Sequence, residues 1–127
     1  MNSMNDTPKK KCVLVVDDHP KVLRFIEIDL KLRGYEVVTA TSGEEALKLV
    51  RSRKPSIMLL DIIMPEVDGL EVLKRLRTSS QLPVIAFSAS PGERDNAIRL
   101  GADDFMTKPF HPDDMVKRIE VLLDRHE

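Results

Sequence analysis

The sequence lacks most of what announces a chemistry. It has one cysteine, Cys12, so neither a disulfide framework nor a cysteine-rich metal site can be built. Cys12 heads an apolar run and is expected to be a buried thiol in a reducing compartment. No charge of one sign dominates: 20 basic and 21 acidic side chains leave a net charge of -1. That balance gives no reason to expect nucleic-acid binding by this chain, or attachment to an anionic membrane. No long hydrophobic run follows the basic residues near the start. The first apolar stretch, VLVV, breaks at Asp17, which excludes an export or membrane-spanning segment and implies a soluble cytoplasmic protein.

Recognisable catalytic signatures are missing as well. There is no GxxxxGK[ST] phosphate loop, and after Asp17 the chain reads Asp18-His19-Pro20 where a dinucleotide fold would place glycines. His19, His111 and His126 are far apart and have no cysteine partners, which argues against zinc. His19 and His111 read as exposed helix-start residues without a role. No nucleophile elbow supports a Ser–His–Asp triad. Repeats, long linkers and low-complexity stretches are also absent.

What is present is ordinary in bulk. The 127 residues, 42% apolar and 32% charged, suit one domain with a proper core. Residues 1–9 read as a flexible tail and 10–126 as the domain, with the lysines at 9–11 at a solvated strand entrance. VLVV (13–16), IMLL (57–60) and VIAF (84–87) lack period-2 alternation, so they read as strands buried on both faces. EVVTA (36–40) reads as an edge strand and DDFMT (103–107) as a weak fifth.

Helical signals fill the gaps. Pro20 opens a helix to about Arg33 with Leu23, Ile26 and Leu30 inward and Gly34 as its stop. Ser42 with Glu45 reads as a capping box before Ala46, Leu47 and Val50. Asp68 with Glu71 precedes Leu70, Leu73 and Leu76, and Ser90 with Pro91 and Glu93 precedes Ala97 and Ile98. Pro112 opens a last helix carrying Met115, Ile119 and Leu122, ending near Arg125. The alternation is an α/β pattern, (βα)5, and right-handed crossovers make it a three-layer sandwich. A chain of this length most easily adopts the doubly wound, flavodoxin-like order 2-1-3-4-5 for a five-stranded parallel sheet.

The stretch IMLLDIIMPEVDG (57–69) then needs explaining, because a buried run ends in a carboxylate before turning at Pro65 and Gly69. Asp17 and Asp18 end the first strand, Asp61 the third, Ser88 the fourth, and Lys108 follows the fifth. In a parallel sheet all five meet at the carboxyl edge, where open α/β sheets bind ligands. Three crowded carboxylates call for a cation, and oxygen-only ligands favour Mg²⁺, with Mn²⁺ possible. Cation, Lys108 amine and Ser88 hydroxyl form a clamp for phosphoryl oxygens, with Asp61 as candidate nucleophile. Capping of the first helix needs only one of Asp17 and Asp18 and leaves Asp61 unexplained.

In order along the chain, VLVVDDHP, LLDIIMPEVDG, VIAFSA and GADDFMTKPF resemble the receiver domain of two-component response regulators, from Lys11 to Arg125. The resemblance implies that Asp61 accepts a phosphoryl group from a histidine kinase or histidine phosphotransfer protein. It implies Asp18, Asp61 and the backbone carbonyl of Ile63 as direct Mg²⁺ ligands, with Asp17 acting through water. Lys108 would pair first with the carboxylate and then with the phosphoryl group. Ser88 and Phe105 would be the switch pair, and the Lys108-Pro109 bond would be cis. The domain would catalyse its own phosphorylation and slow dephosphorylation without acting on external substrates. Ile63 and Ser90 stand where relatives tune the attacking water, and Ile63 cannot orient one.

Arg99, Asp103, Asp104, Lys117 and Arg118 are expected on a face built from the fourth helix, fifth strand and fifth helix. Some receivers with winged-helix DNA-binding domains form homodimers through that face. The chain as given carries no such domain, so it is expected to be a stand-alone regulator or a receiver cut from a longer regulator or hybrid kinase. Two other readings compete. One is a phosphatase with an aspartyl intermediate, disfavoured because Ile63 stands where the haloacid-dehalogenase-like pattern wants aspartate. The other is an interaction module independent of phosphorylation.

Overall fold

A computed structural model describes residues 10–64 and 68–125. The expected tail over 1–9, the turn at Pro65, and His126 at the expected domain end lie outside the described residues. Five strands, β1 (Cys12–Val16), β2 (Glu36–Ala40), β3 (Ile57–Asp61), β4 (Val84–Ser88) and β5 (Asp104–Thr107), alternate with five helices. The helices are α1 (Pro20–Leu32), α2 (Gly43–Arg53), α3 (Gly69–Leu76), α4 (Arg94–Arg99) and α5 (Pro112–Arg125). All strand pairs are parallel and the sheet order is β2-β1-β3-β4-β5, as expected.

The unbroken apolar runs fill two layers because alternate residues of a strand face opposite ways. Leu14, Val16, Met58, Leu60, Val84 and Ala86 meet Ala46 of α2, Val72, Leu73 and Leu76 of α3 and Ala97 of α4. Val13, Val15, Ile57, Leu59, Ile85 and Phe87 meet Leu23, Ile26 and Leu30 of α1 and Met115, Ile119 and Leu122 of α5. Each fully buried aliphatic side chain contributes about 1.5–3 kcal/mol, so the two layers hold the sheet rigid beneath its edge residues. Among the described residues no helix is long and apolar enough to cross a membrane.

Local signals place the helix ends. Gly34 adopts φ 96°, and its N–H donates to the Lys31 carbonyl at 3.0 Å while that of Tyr35 donates to Leu30, also at 3.0 Å, closing α1. The Ser42 hydroxyl accepts from the Glu45 N–H at 3.2 Å. Glu45 reaches back one residue further than a capping box would, to the Thr41 N–H at 2.8 Å. Asp68 accepts from the Glu71 N–H at 2.9 Å.

Three local expectations need correction. Ser90 caps no helix: Pro91–Glu93 form a single 3₁₀ turn, and α4 begins only at Arg94. The Ser90 N–H is turned back to the Ser88 hydroxyl at 3.0 Å, which fixes it in the turn. Ile98 is 39% exposed, because so short a helix has only Ala97 pointing fully into the core. Cys12 is half-buried, being the first residue of its strand; burial still raises its thiol pKa, and the Glu36 charge adds to the effect.

Candidate functional site

Asp17 and Asp18 leave β1, Asp61 closes β3 and Ser88 closes β4, so the neighbouring positions of β1, β3 and β4 bring their side chains to one edge. Lys108 is delivered from beyond β5: its N–H donates to the Ser88 carbonyl at 2.8 Å, continuing the ladder one step past Thr107. The Lys108-Pro109 peptide bond is cis, as the resemblance implied. The amine lies 5.0 Å above the Phe87 ring centroid, and Phe110 packs edge-on against that ring at 5.7 Å. The lysine stem is thus held over an aromatic floor and aimed into the cleft.

There the amine donates to Asp17 Oδ2 at 3.0 Å and to Asp61 Oδ2 at 3.3 Å. Asp17 is wholly buried and Asp61 is 2% exposed, so each carboxylate needs that cation or a substitute. Asp61 Oδ1 accepts from the N–H of Ile63 at 3.1 Å, a short turn that fixes the carboxylate's orientation. Burial pushes the Asp61 pKa up to about 6, and the Asp17 charge adds to the rise. Lys108 and the Ile63 N–H pull the other way without cancelling it.

Gly69 explains the end of IMLLDIIMPEVDG. The N–H of this first α3 residue donates to the Ile62 carbonyl at 2.8 Å. A side-chain carbon there would collide with the Asp61 carbonyl oxygen and stand 2.5 Å from Ile62 Cα. Glycine lets α3 start directly against the backbone that carries Asp61.

The donor set fits a divalent ion on one observation above all. Among the described residues, Asp18 Oδ1 is buried and has no hydrogen-bond partner. His19 Nδ1 lies 3.2 Å from it, close enough for charge pairing but not aligned for a hydrogen bond. Such an orphaned acceptor is costly unless something positive joins it. Ligand atoms of Asp17, Asp18, His19 and Asp61 all lie within 4.8 Å of one another. The sequence implied an oxygen-only set; the structure adds the His19 ring nitrogen to the candidate ligand atoms. Sequence reading assigned His19 no role; its place directly after the acidic pair was the available signal.

The other predicted residues are near but differently engaged. The Ser88 hydroxyl is buried and accepts from the Ser90 N–H. Phe105 is 4% exposed and packs in the core layer beneath α4, opposite Ala86 in the ladder. The Ile63 side chain is 56% exposed at the mouth of the site. Of the five expected interface residues, Asp103 accepts from Arg77 at 3.2 Å and from the Val84 N–H at 2.8 Å. Asp104 takes Arg118 at 2.8 Å, and Arg99 donates to Asn96 at 2.8 Å. Lys117 is exposed on α5.

Comparison with known proteins agrees with this geometry. The response regulator receiver domain family matches residues 13–120. The alkaline phosphatase synthesis transcriptional regulatory protein PhoP of Bacillus subtilis is 41% identical over 120 residues, covering 92% of this chain and 50% of that protein. The chain spans about half the length of such relatives. The receiver domain of Francisella response regulator 1452 superimposes with a TM-score of 0.87 at 34% identity, over 93% of this chain and 100% of that one. The BeF3-activated N-terminal receiver domain of Klebsiella pneumoniae RstA gives 0.84 at 27% identity, over 89% and 98%. With its sheet order, its acidic cluster and this likeness, the chain belongs to the receiver domains of two-component response regulators.

Proposed function

We propose that the chain is a switch whose Asp61 accepts a phosphoryl group from a histidine kinase or histidine phosphotransfer protein in the cytoplasm. The observation that carries the proposal is the Lys108 amine bridging Asp17 and Asp61 at 3.0 and 3.3 Å, with Asp61 at the open end of a central strand. An ammonium already lying between two carboxylates needs only a small swing to meet a third anion placed on one of them.

An Asp61 oxygen attacks the phosphorus of a phosphohistidine in line. The new O–P bond forms as the N–P bond breaks, and its electron pair returns to the donor imidazole. Asp61 must be ionised to attack; burial first and the Asp17 charge second oppose that ionisation, and a cation joining the cluster would favour it. Lys108 follows the transferring oxygens, and the Ser88 hydroxyl leaves the Ser90 N–H to donate to another. Asp18, Asp61 and the Ile63 carbonyl would hold Mg²⁺ or Mn²⁺, with Asp17 acting through water. The ion, when bound, supplies charge neutralisation for carboxylates and phosphoryl group together.

Movement of Ser88 opens space that Phe105 senses through β4 and β5, altering the face of α4, β5 and α5. There Arg99, Asp103, Asp104 and Arg118 would exchange internal partners for those of a second copy, and the exposed Lys117 would gain one. PhoP is described as a transcriptional regulator, and transcription control is the output proposed for the full-length relative of this chain. Incubation with Mg²⁺ and acetyl phosphate tests the reading. One phosphoryl mass on Asp61, lost in Asp61→Asn, supports it; turnover of small phosphoesters would favour the phosphatase, and an unmodified protein the phosphorylation-independent module.

A further inference from the structure

The His19 side chain is not explained by the helix it precedes. His19 is the N-cap of α1, yet its ring makes no capping bond to the helix. It turns instead to the acidic pair, with Nδ1 at 3.0 Å from Asp17 Oδ1 and 3.2 Å from Asp18 Oδ1. Its own N–H donates to the same Asp17 oxygen at 2.9 Å, which anchors the root of the side chain.

We infer that His19 is a nitrogen ligand to the divalent ion held by this cluster and tilts its preference from Mg²⁺ towards transition ions such as Mn²⁺ and Ni²⁺. The inference rests on the cluster being a cation site, as proposed above. Adjacent ligands of an octahedral ion with bonds of about 2.1 Å stand about 3 Å apart, and opposite ones about 4.2 Å. The 3.2 Å from Nδ1 to Asp18 Oδ1 matches an octahedral edge. The candidate ligand atoms of the whole set lie within 4.8 Å of one another, so the widest pair would draw in by about half an ångström around an ion. Asp17, already bonded to the His19 N–H, stays behind a water.

Tautomer and chemistry are compatible. The ring is 64% exposed, so its proton can reside on Nε2 with water as partner, leaving the Nδ1 lone pair inward. Carboxylate and water ligands suit Mg²⁺ and Mn²⁺ equally well, whereas an imidazole favours the later first-row ions. One nitrogen among oxygens therefore changes selectivity more than it changes total affinity for a hard ion.

The test uses the full chain with His111→Ala and His126→Ala, so that His19 is the only imidazole present. Pulsed electron paramagnetic resonance of bound Mn²⁺ should show ¹⁴N coupling that disappears in His19→Ala and in His19→Asn. Calorimetric titration should show Ni²⁺ affinity falling about tenfold or more in both variants, the scale of a lost ligand contact, with Mg²⁺ affinity within about twofold. Absence of nitrogen coupling in the parent, or equal losses for Mg²⁺ and Ni²⁺, overturns the inference. Mg²⁺-dependent labelling of Asp61 without nitrogen coupling sinks this inference alone. Failure of the parent to bind any of the three ions sinks the cation site as well.

Discussion

The Lys108 amine stands closer to Asp17, at 3.0 Å, than to Asp61, at 3.3 Å. The residue proposed to react is thus the less neutralised of the two, and it carries a pKa of about 6 partly because Asp17 lies beside it. In Asp17→Asn that repulsion is gone and Lys108 is left to Asp61. The Asp61 titration midpoint, read by carboxyl ¹³C NMR without metal, should fall below 6. An unchanged midpoint would contradict the assigned cause.

A raised acid pKa has a definite sign in stability. Between the unfolded value near 4 and the folded value of about 6, the native state binds the extra proton, so stability falls as pH rises through that window. Asp61→Asn should therefore stabilise the metal-free domain by roughly 1–2 kcal/mol at pH 7, discounting the coupling to Asp17. The gain should fade as pH drops from 6 to 4. Thermal melts of both proteins across that range check it, and a gain independent of pH would refute it.

Gly69 admits no side chain against the Asp61 carbonyl. Gly69→Ala must displace either α3 or the backbone of Asp61, at a cost of about 1–3 kcal/mol typical of overpacking. Urea unfolding measures the loss. Acetyl phosphate labelling should fall with it even at temperatures where the variant is fully folded.

Ile63 presents a half-exposed aliphatic side chain where an amide would hold water. Ile63→Asn should shorten the lifetime of phosphorylated Asp61 several-fold without altering the rate of its formation as much. Mass spectrometry after removal of the phosphoryl donor gives both numbers. Equal lifetimes would show that this position does not govern water access.

The sheet and the carboxyl-edge cluster were legible because β1, β3 and β4 are apolar without interruption and end in polar residues. Burial on both faces leaves no other reading for Val13–Val16 or Ile57–Leu60. The region after β4 was misread: Ser90, Pro91 and Glu93 carry the composition of a helix start. What decides it is a local turn that the composition does not reveal, the Ser90 N–H committed to the Ser88 hydroxyl two residues back. His19 was passed over because its neighbours along the chain predict a helix entrance. Only folding shows that its ring faces backward, towards Asp17 and Asp18. That Arg77, just past the end of α3, pairs with the Asp103 carboxylate is likewise visible only in the fold.

β5 borders the sheet, with β4 as its sole ladder, and is four residues long. One cation tethers each end: Arg118 grips Asp104 and the Phe105 carbonyl, while Lys108 enters the cleft. Shifting an outermost strand loosens half the backbone bonds that shifting a central one would. The cleft and the outer surface are therefore joined by a short lever about 13 Å long, and it is mounted where the sheet resists displacement least.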